Sequence, residues 1–238
     1  PPPQPAQGAH EVIIESPAHL RDFTELSTEQ LATVLSVHRD RAKHHLQHDD
    51  VEQIALFKNV GYEGGASLEH LHSQLLALPY VSPILQTELD SSQTFLQEQG
   101  SCLFCDLIAR ELASGDRMVL QNEHFVAFCA VAGRQPFETW ILPTVHAADF
   151  TTIADDHLPH LADLLQRVIT RLQSHLQPLS YNLLLHSSPA GSEYTASFHW
   201  HWELVPRSSQ LAGLEWGSGV YINSLSPERA ASMLREAN

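Results

Sequence analysis

At 238 residues, 43% of them hydrophobic, the chain is long enough for one large domain or two modest ones built around a real core. Its formal charge of −15 excludes sequence-independent binding to nucleic acid, which needs a basic surface to displace counterions. A phosphate ligand would have to be held locally, by backbone amides, chosen side chains or histidines. No run of eighteen apolar residues occurs, and the start "PPPQPAQGAH" has neither a basic nor an apolar signal region, so the expectation is a soluble, cytoplasmic protein without a membrane partner.

From residue 10, "HEVIIESPAHLRDFTELSTEQLATVL" reads as a short apolar strand, a proline, His19, an aspartate-phenylalanine pair and an amphipathic helix. Ser27 and Gln30 form a capping-box pattern ahead of that helix, and His44, His45 and His48 are assigned to its solvated end. An apolar strand, "IALFKNVG", and a glycine-rich loop follow. The stretch "GGASLEHLHSQLLALP" then sets His70, His72 and Gln74 at alternate positions, which an extended chain places on one face, with Leu71 and Ser73 on the other. A lone strand histidine is ordinarily core packing; two in register with an amide point to a site.

Residues 85–101, polar and serine-rich, read as a helical or loop connector. Beyond them stand Cys102-x-x-Cys105 and, in "FVAFCAVAG", Cys129, which is assigned to the core. From residue 137 the chain resembles its own beginning: "FETWILPTVHAADFTTIADDHLPHLADLL" repeats strand, proline, histidine, Asp-Phe pair and helix, and Pro178 ends the helical pattern. The strand "YNLLLHSS" and the row His199-x-His201-x-Glu203 in "FHWHWELVPR" complete the parallel. His19 and His146 correspond, and the next histidine row begins 51 residues later in one half and 53 in the other. A core accident would rarely recur in that register. The inference is a duplicated α+β unit, with repeats over 1–98 and 99–238, an antiparallel sheet and helices packed on it.

Cys102 and Cys105 precede His146 by about 41 residues, and His199 follows on the neighbouring strand. Two thiolates and two imidazoles make a closed tetrahedral zinc set. A thioredoxin-like redox role is disfavoured because the cysteine pair is not expected to open a helix in a βαβ pattern. A cysteine pair equivalently placed before His19 would fall ahead of residue 1, so His19 and His70 are read as half of a second metal site, with further chain expected in front.

Taken together, "FKNVGYEGGASLEHLHSQ", "CLFC", "ILPTVH", "FHWHWELVPR" and "AGLEWGSGVYINSLSPERAASMLRE" resemble the galactose-1-phosphate uridylyltransferase family of the histidine-triad (HIT-like) superfamily, over essentially the whole chain. The cysteine pair and the carboxy-terminal block look more like the branch that includes ADP-sugar phosphate adenylyltransferases. The resemblance implies a duplicated HIT-like fold, His72 as the nucleophile that takes a nucleoside monophosphate from a nucleotide sugar, and Gln74 as donor to the phosphoryl oxygens. It implies Asn59, Gly65 and Ser67 as residues lining the nucleotide and phosphate, and His19, His70, His146 and His199 as metal ligands. Some members hold iron at the second site on a glutamate and three histidines, for which Glu88 and His201 stand at matching positions; the cysteine pair favours zinc.

Leucine replaces the family's proline between His70 and His72, on the side chain expected to face away from substrate. The leading functional expectation is two-step uridylyl transfer from UDP-glucose to galactose 1-phosphate through His72. Transfer from ADP-glucose to phosphate, simple nucleotide hydrolysis and a non-catalytic zinc-stabilised binding module are the alternatives. The partners expected are a nucleotide sugar and a sugar phosphate, and the resemblance implies a homodimer.

Overall fold

The structure is a computed structural model that describes residues 7–189 and 191–237. Among the described residues there are eight strands, some alternating in burial and others, such as β5 and β8, buried on both faces: β1 (Ala9–Ile14), β2 (Gln53–Val60), β3 (His72–Leu78), β4 (Met118–Gln121), β5 (Phe125–Cys129), β6 (Thr139–Pro143), β7 (Tyr181–His186) and β8 (His201–Pro206). They make one antiparallel sheet in the order β1-β3-β2-β7-β8-β6-β5-β4. The two halves meet at the β2–β7 ladder, where Asn59 pairs with Asn182 and Leu56 with Leu185. On either side of that ladder the arrangement β2-β3-β1 is matched by β7-β8-β6, the α+β duplication expected from the histidine rows.

Among the described residues six α-helices accompany the sheet: α1 (Thr28–His45), α2 (Pro83–Gln99), α3 (Leu103–Ser114), α4 (Leu158–Gln173), α5 (Gly213–Ser218) and α6 (Pro227–Glu236). Ser27 starts α1 by accepting from the Gln30 amide while the Gln30 side chain accepts from the Ser27 amide, the capping box read in the sequence. In α4, Leu161, Leu164, Leu165, Val168, Ile169 and Leu172 recur at helical spacing and are fully buried. This stripe packs against α1 and the sheet, together with α6.

Strand alternation sends neighbouring residues into different layers. Phe125, Ala127, Cys129 and Ile141 join the large core under α1, α4 and α6, whereas Val126, Phe128 and Leu142 join a smaller core under α2 and α3. The second face is covered unevenly. In the amino-terminal half, Val12 and Ile14 stand there exposed at 52% and 59%, on the face that also carries His72.

Residues 85–101 are mostly helical, forming the body of α2, and Cys129 is core, as the sequence suggested. Two readings change. His45 is buried rather than solvated, because its Nε2 reaches Glu11 at 2.8 Å across the sheet edge. Cys102 does open a helix: it is the N-cap of α3. That helix follows α2 rather than a strand, so the βαβ setting of a redox motif is still lacking.

Leu165 is fully buried in the large core, so Leu165→Ala removes side-chain volume there and should cost about 2–5 kcal/mol of stability in urea unfolding.

Candidate functional site

His72 opens β3, and its side chain is 5% exposed. Its Nδ1 lies 2.7 Å from the carbonyl oxygen of His70, two residues back. A carbonyl only accepts, so Nδ1 is the donor, and in the neutral ring Nε2 keeps the free lone pair. Gln74 shares the face, with its Oε1 3.1 Å from Nε2 of His10 on β1. His70 lies just ahead of the strand, and its ring centroid is 5.5 Å from that of exposed His19.

Beside His72 is a cavity of about 630 Å3, within the range of small-molecule sites. Asn59, Ser67, His70 and His72 line it, together with Arg21, Lys58, Gln173 at the end of α4 and the segment 176–179. Gly65 and Gln74 do not contribute to its wall. The glycine-rich loop is tied down from the opposite repeat: the Asn182 amide donates to Asn59 Oδ1 and to the Gly64 carbonyl, both at 2.8 Å. Gly65 adopts φ +78°, which favours glycine. Gly64 is needed for space, since a Cβ there would overlap the Val60 carbonyl oxygen and lie 2.8 Å from that of Tyr181.

The second repeat carries the same backbone device. His201 Nδ1 lies 3.1 Å from the His199 carbonyl oxygen. Its ring, however, is fully buried, between Phe104 at 4.9 Å and Trp140 at 5.2 Å. Identical local geometry thus meets a cavity in one half and an aromatic wall in the other.

Cys102, Cys105, His146 and His199 converge, with one donor atom from each lying within 4.8 Å of the others. Cys105 Sγ is 3.3 Å from His146 Nδ1 and 3.7 Å from His199 Nδ1. The α3 start supplies the cysteines, the turn after β6 supplies His146, and the approach to β8 supplies His199. Burial, reinforced by adjacent Cys102, pushes the Cys105 thiol up to about 12, while burial lowers His199 to about 3. A neutral imidazole is already a ligand; the thiol becomes one when a cation displaces its proton. Two sulfurs and two imidazole nitrogens suit a tetrahedral, borderline-soft cation.

Glu88, His186, His201 and Glu203 form a second group. The sequence singled out Glu88, His201 and Glu203 but not His186, whose strand-end position becomes informative only once β7 lies beside β8. His186 bonds Glu88 at 2.8 Å and approaches Glu203 at 3.7 Å. Against the cost of burial, these carboxylates hold the His186 imidazole above its ordinary value. Arg134 pairs with both Glu203 and Glu138, so positive charge already faces the Glu203 carboxylate.

Two corresponding histidine rows on a duplicated antiparallel sheet, one open to a cavity and one packed beside a cysteine pair, define a HIT-like protein of the galactose-1-phosphate uridylyltransferase group, which includes ADP-sugar enzymes. The chain belongs to the DUF4921 family, described as a domain of unknown function, whose family model matches residues 7–237. It is 33% identical to an ADP-glucose phosphorylase of Arabidopsis thaliana over 236 residues, covering 97% of this chain and 65% of that protein. It is 28% identical to a galactose-1-phosphate uridylyltransferase of Thermotoga maritima, covering 97% and 74%. A crystal structure of an Arabidopsis ADP-glucose phosphorylase with bound ADP-glucose superposes with a TM-score of 0.90 at 32% identity, over 97% of this chain and 74% of that one. The chain thus spans about two thirds to three quarters of these relatives' lengths. Among the described residues, no helix is long and apolar enough to cross a membrane.

Gly64→Ala should force the loop off the Asn182 amide, lowering the thermal midpoint and weakening protection of the loop amides in hydrogen exchange.

Proposed function

We propose that the chain is a nucleotidyltransferase acting on nucleotide sugars through His72. The observation that carries this reading is the Nδ1 contact to the His70 carbonyl at 2.7 Å, which makes Nε2 the nitrogen with the lone pair in the neutral ring of a residue that lines the cavity. In the first step Nε2 attacks the α-phosphorus of the donor, the bond from that phosphorus to the bridging oxygen breaks, and hexose 1-phosphate departs. In the second, a phosphate oxygen of the acceptor attacks the nucleotidyl-histidine and restores the free imidazole. Gln74 donates to the phosphoryl oxygens, and the loop carrying Gly65 and Ser67 offers backbone amides to them. These local devices answer the acidic balance of the whole chain.

The likeness to the plant ADP-glucose phosphorylase, the more similar of the two curated relatives above, supports ADP-glucose as donor and inorganic phosphate as acceptor. UDP-glucose with galactose 1-phosphate is the second reading, supported by the Thermotoga relative. His201 cannot serve as nucleophile in either, because its ring has no access to substrate.

Cys102, Cys105, His146 and His199 would hold zinc, with a stabilising role, since four protein ligands leave no position for a substrate. The first-repeat pair His19 and His70 would be two ligands of another site. For iron on Glu88, His186, His201 and Glu203 the donors fit less well, because Arg134 already compensates Glu203. The repeats, 1–98 and 99–238, would then divide the work between catalysis and metal-supported stability. The exposed Val12 and Ile14 on the sheet face beside Gln74 support association as a homodimer.

Incubation with ADP-glucose or UDP-glucose should add an adenylyl or uridylyl mass to the intact protein, discharged by phosphate or a sugar phosphate respectively; His72→Ala should carry no adduct while keeping fold and metal. Adduct on His72→Ala would remove it as nucleophile. Cys102→Ser should lower zinc content and the thermal midpoint, and loading the metal-free wild type should release protons in proportion to zinc bound.

A further inference from the structure

Beneath His72, on the opposite face of the sheet, lies a buried charged pair that the transfer steps do not use, although Lys58 reaches the wall of the same cavity with 2% of its side chain exposed. Lys58 of β2 is 2.5 Å from the Glu15 carboxylate, with the two side chains 2% and 0% exposed. The same ammonium donates to the backbone carbonyl of His72 at 2.8 Å. Ser73, the next residue, donates to the other oxygen of Glu15. The Glu15 amide in turn donates to the Leu71 carbonyl at 3.2 Å, and the Leu71 amide donates to Leu20 at 2.8 Å. Together with the His72 ring bond to His70, these contacts clamp every peptide from His70 to Ser73.

The surroundings are poor in other polar partners. Lys58 sits 4.6 Å from the Phe23 ring centroid. His38, fully buried on α1, keeps its Nε2 3.7 Å from Glu15, beyond hydrogen-bond reach, and burial lowers it to about 3, so it is neutral. Burial also raises the Glu15 carboxyl and lowers the Lys58 ammonium from their ordinary values. Such a pair is costly to bury, and a hydrophobic pair of similar volume is often as stable or more so.

The duplication provides an internal comparison. Phe57 pairs with Gln74 in the first half as Leu184 pairs with Glu203 in the second. Lys58 and Ser73 therefore correspond to Leu185 and Trp202, both buried in the same helix-covered core. The fold accepts apolar residues at these places. The charged set stands only in the half where the row's second histidine opens to the cavity.

We propose that Lys58, anchored by Glu15, is a positioning residue: it holds the His72 peptide so that the ring keeps one tautomer and presents Nε2 to substrate. This rests on the reading of His72 as nucleophile. The test uses the full chain with Glu15→Leu and Lys58→Leu combined, leucine being the residue the second repeat has at the place of Lys58. The double variant should keep its thermal midpoint, while kcat falls at least tenfold and KM changes less than twofold. In parallel, ring nitrogen NMR of His72 should show one Nδ1–H tautomer in the wild type and a mixture of tautomers in the variant. Unchanged kcat with an unchanged ring spectrum would overturn the proposal and leave the pair a structural ion pair. If the wild type forms no adduct with either nucleotide sugar, the transfer reading fails; the ring spectrum still decides this inference, since a single tautomer surviving in the variant overturns it. Should the double variant not fold, Glu15→Gln combined with Lys58→Met, which leaves no unpaired buried charge, replaces it with the same two readouts.

Discussion

The ladder between β2 and β7 makes a single sheet out of two repeats, and the placement of both histidine rows depends on it. Backbone hydrogen bonds across Leu56–Val60 and Tyr181–Leu185 set the register in which Asn182 reaches the Gly64 carbonyl. The same register brings Glu88 of the connecting helix against His186. A slip of one residue would turn His72 and Gln74 into the helix-covered core and expose Leu75 and Ala77, so the apolar stripe of α4 protects the geometry of a site it never touches.

Duplication followed by divergence is visible as a difference in what covers the sheet. The second half has α2 and α3 over the face that carries His199, His201 and Glu203; α3 brings Phe104 and the cysteine pair, and Phe198 of the approach to β8 packs with them. Covered in this way, a histidine row can hold metal but cannot meet a substrate. Over the first half no such aromatic layer lies on the His72 face among the described residues, and the cavity remains. Below the sheet the asymmetry is reversed: the second half sets Leu185 and Trp202 where the first has Lys58 and Ser73 of the Glu15 network. Two repeats that share one backbone plan thus differ in which histidine row is open to a cavity and which is packed beside a cysteine pair.

What could be read directly from the chain was whatever has a short period or a repeat. Alternation placed His70, His72 and Gln74 on one face, recurrence at 51 and 53 residues argued against accident, and the spacing of Cys102 and Cys105 suggested a ligand pair. The capping box at Ser27 and the apolar stripe of α4 were equally local signals. His45, by contrast, looked like part of a charged helix end, and nothing nearby in the sequence indicates that Glu11 draws it inward. The helix that starts at Cys102 was also hidden, because the N-cap is a cysteine without a side-chain bond and the preceding helix ends only at Gly100.

The sequence by itself determined the α+β class, the duplication and the candidate chemistry, because strand period, helix period and ligand spacing are properties of neighbouring residues. Only the tertiary structure decided which histidine row reaches a cavity, that His186 and Arg134 complete the Glu88–Glu203 group, and that Lys58 and Glu15 lie under His72. Those contacts join positions 14 to 98 residues apart. Burial and charge pairing at such separations are set by how layers pack, and no local pattern encodes them.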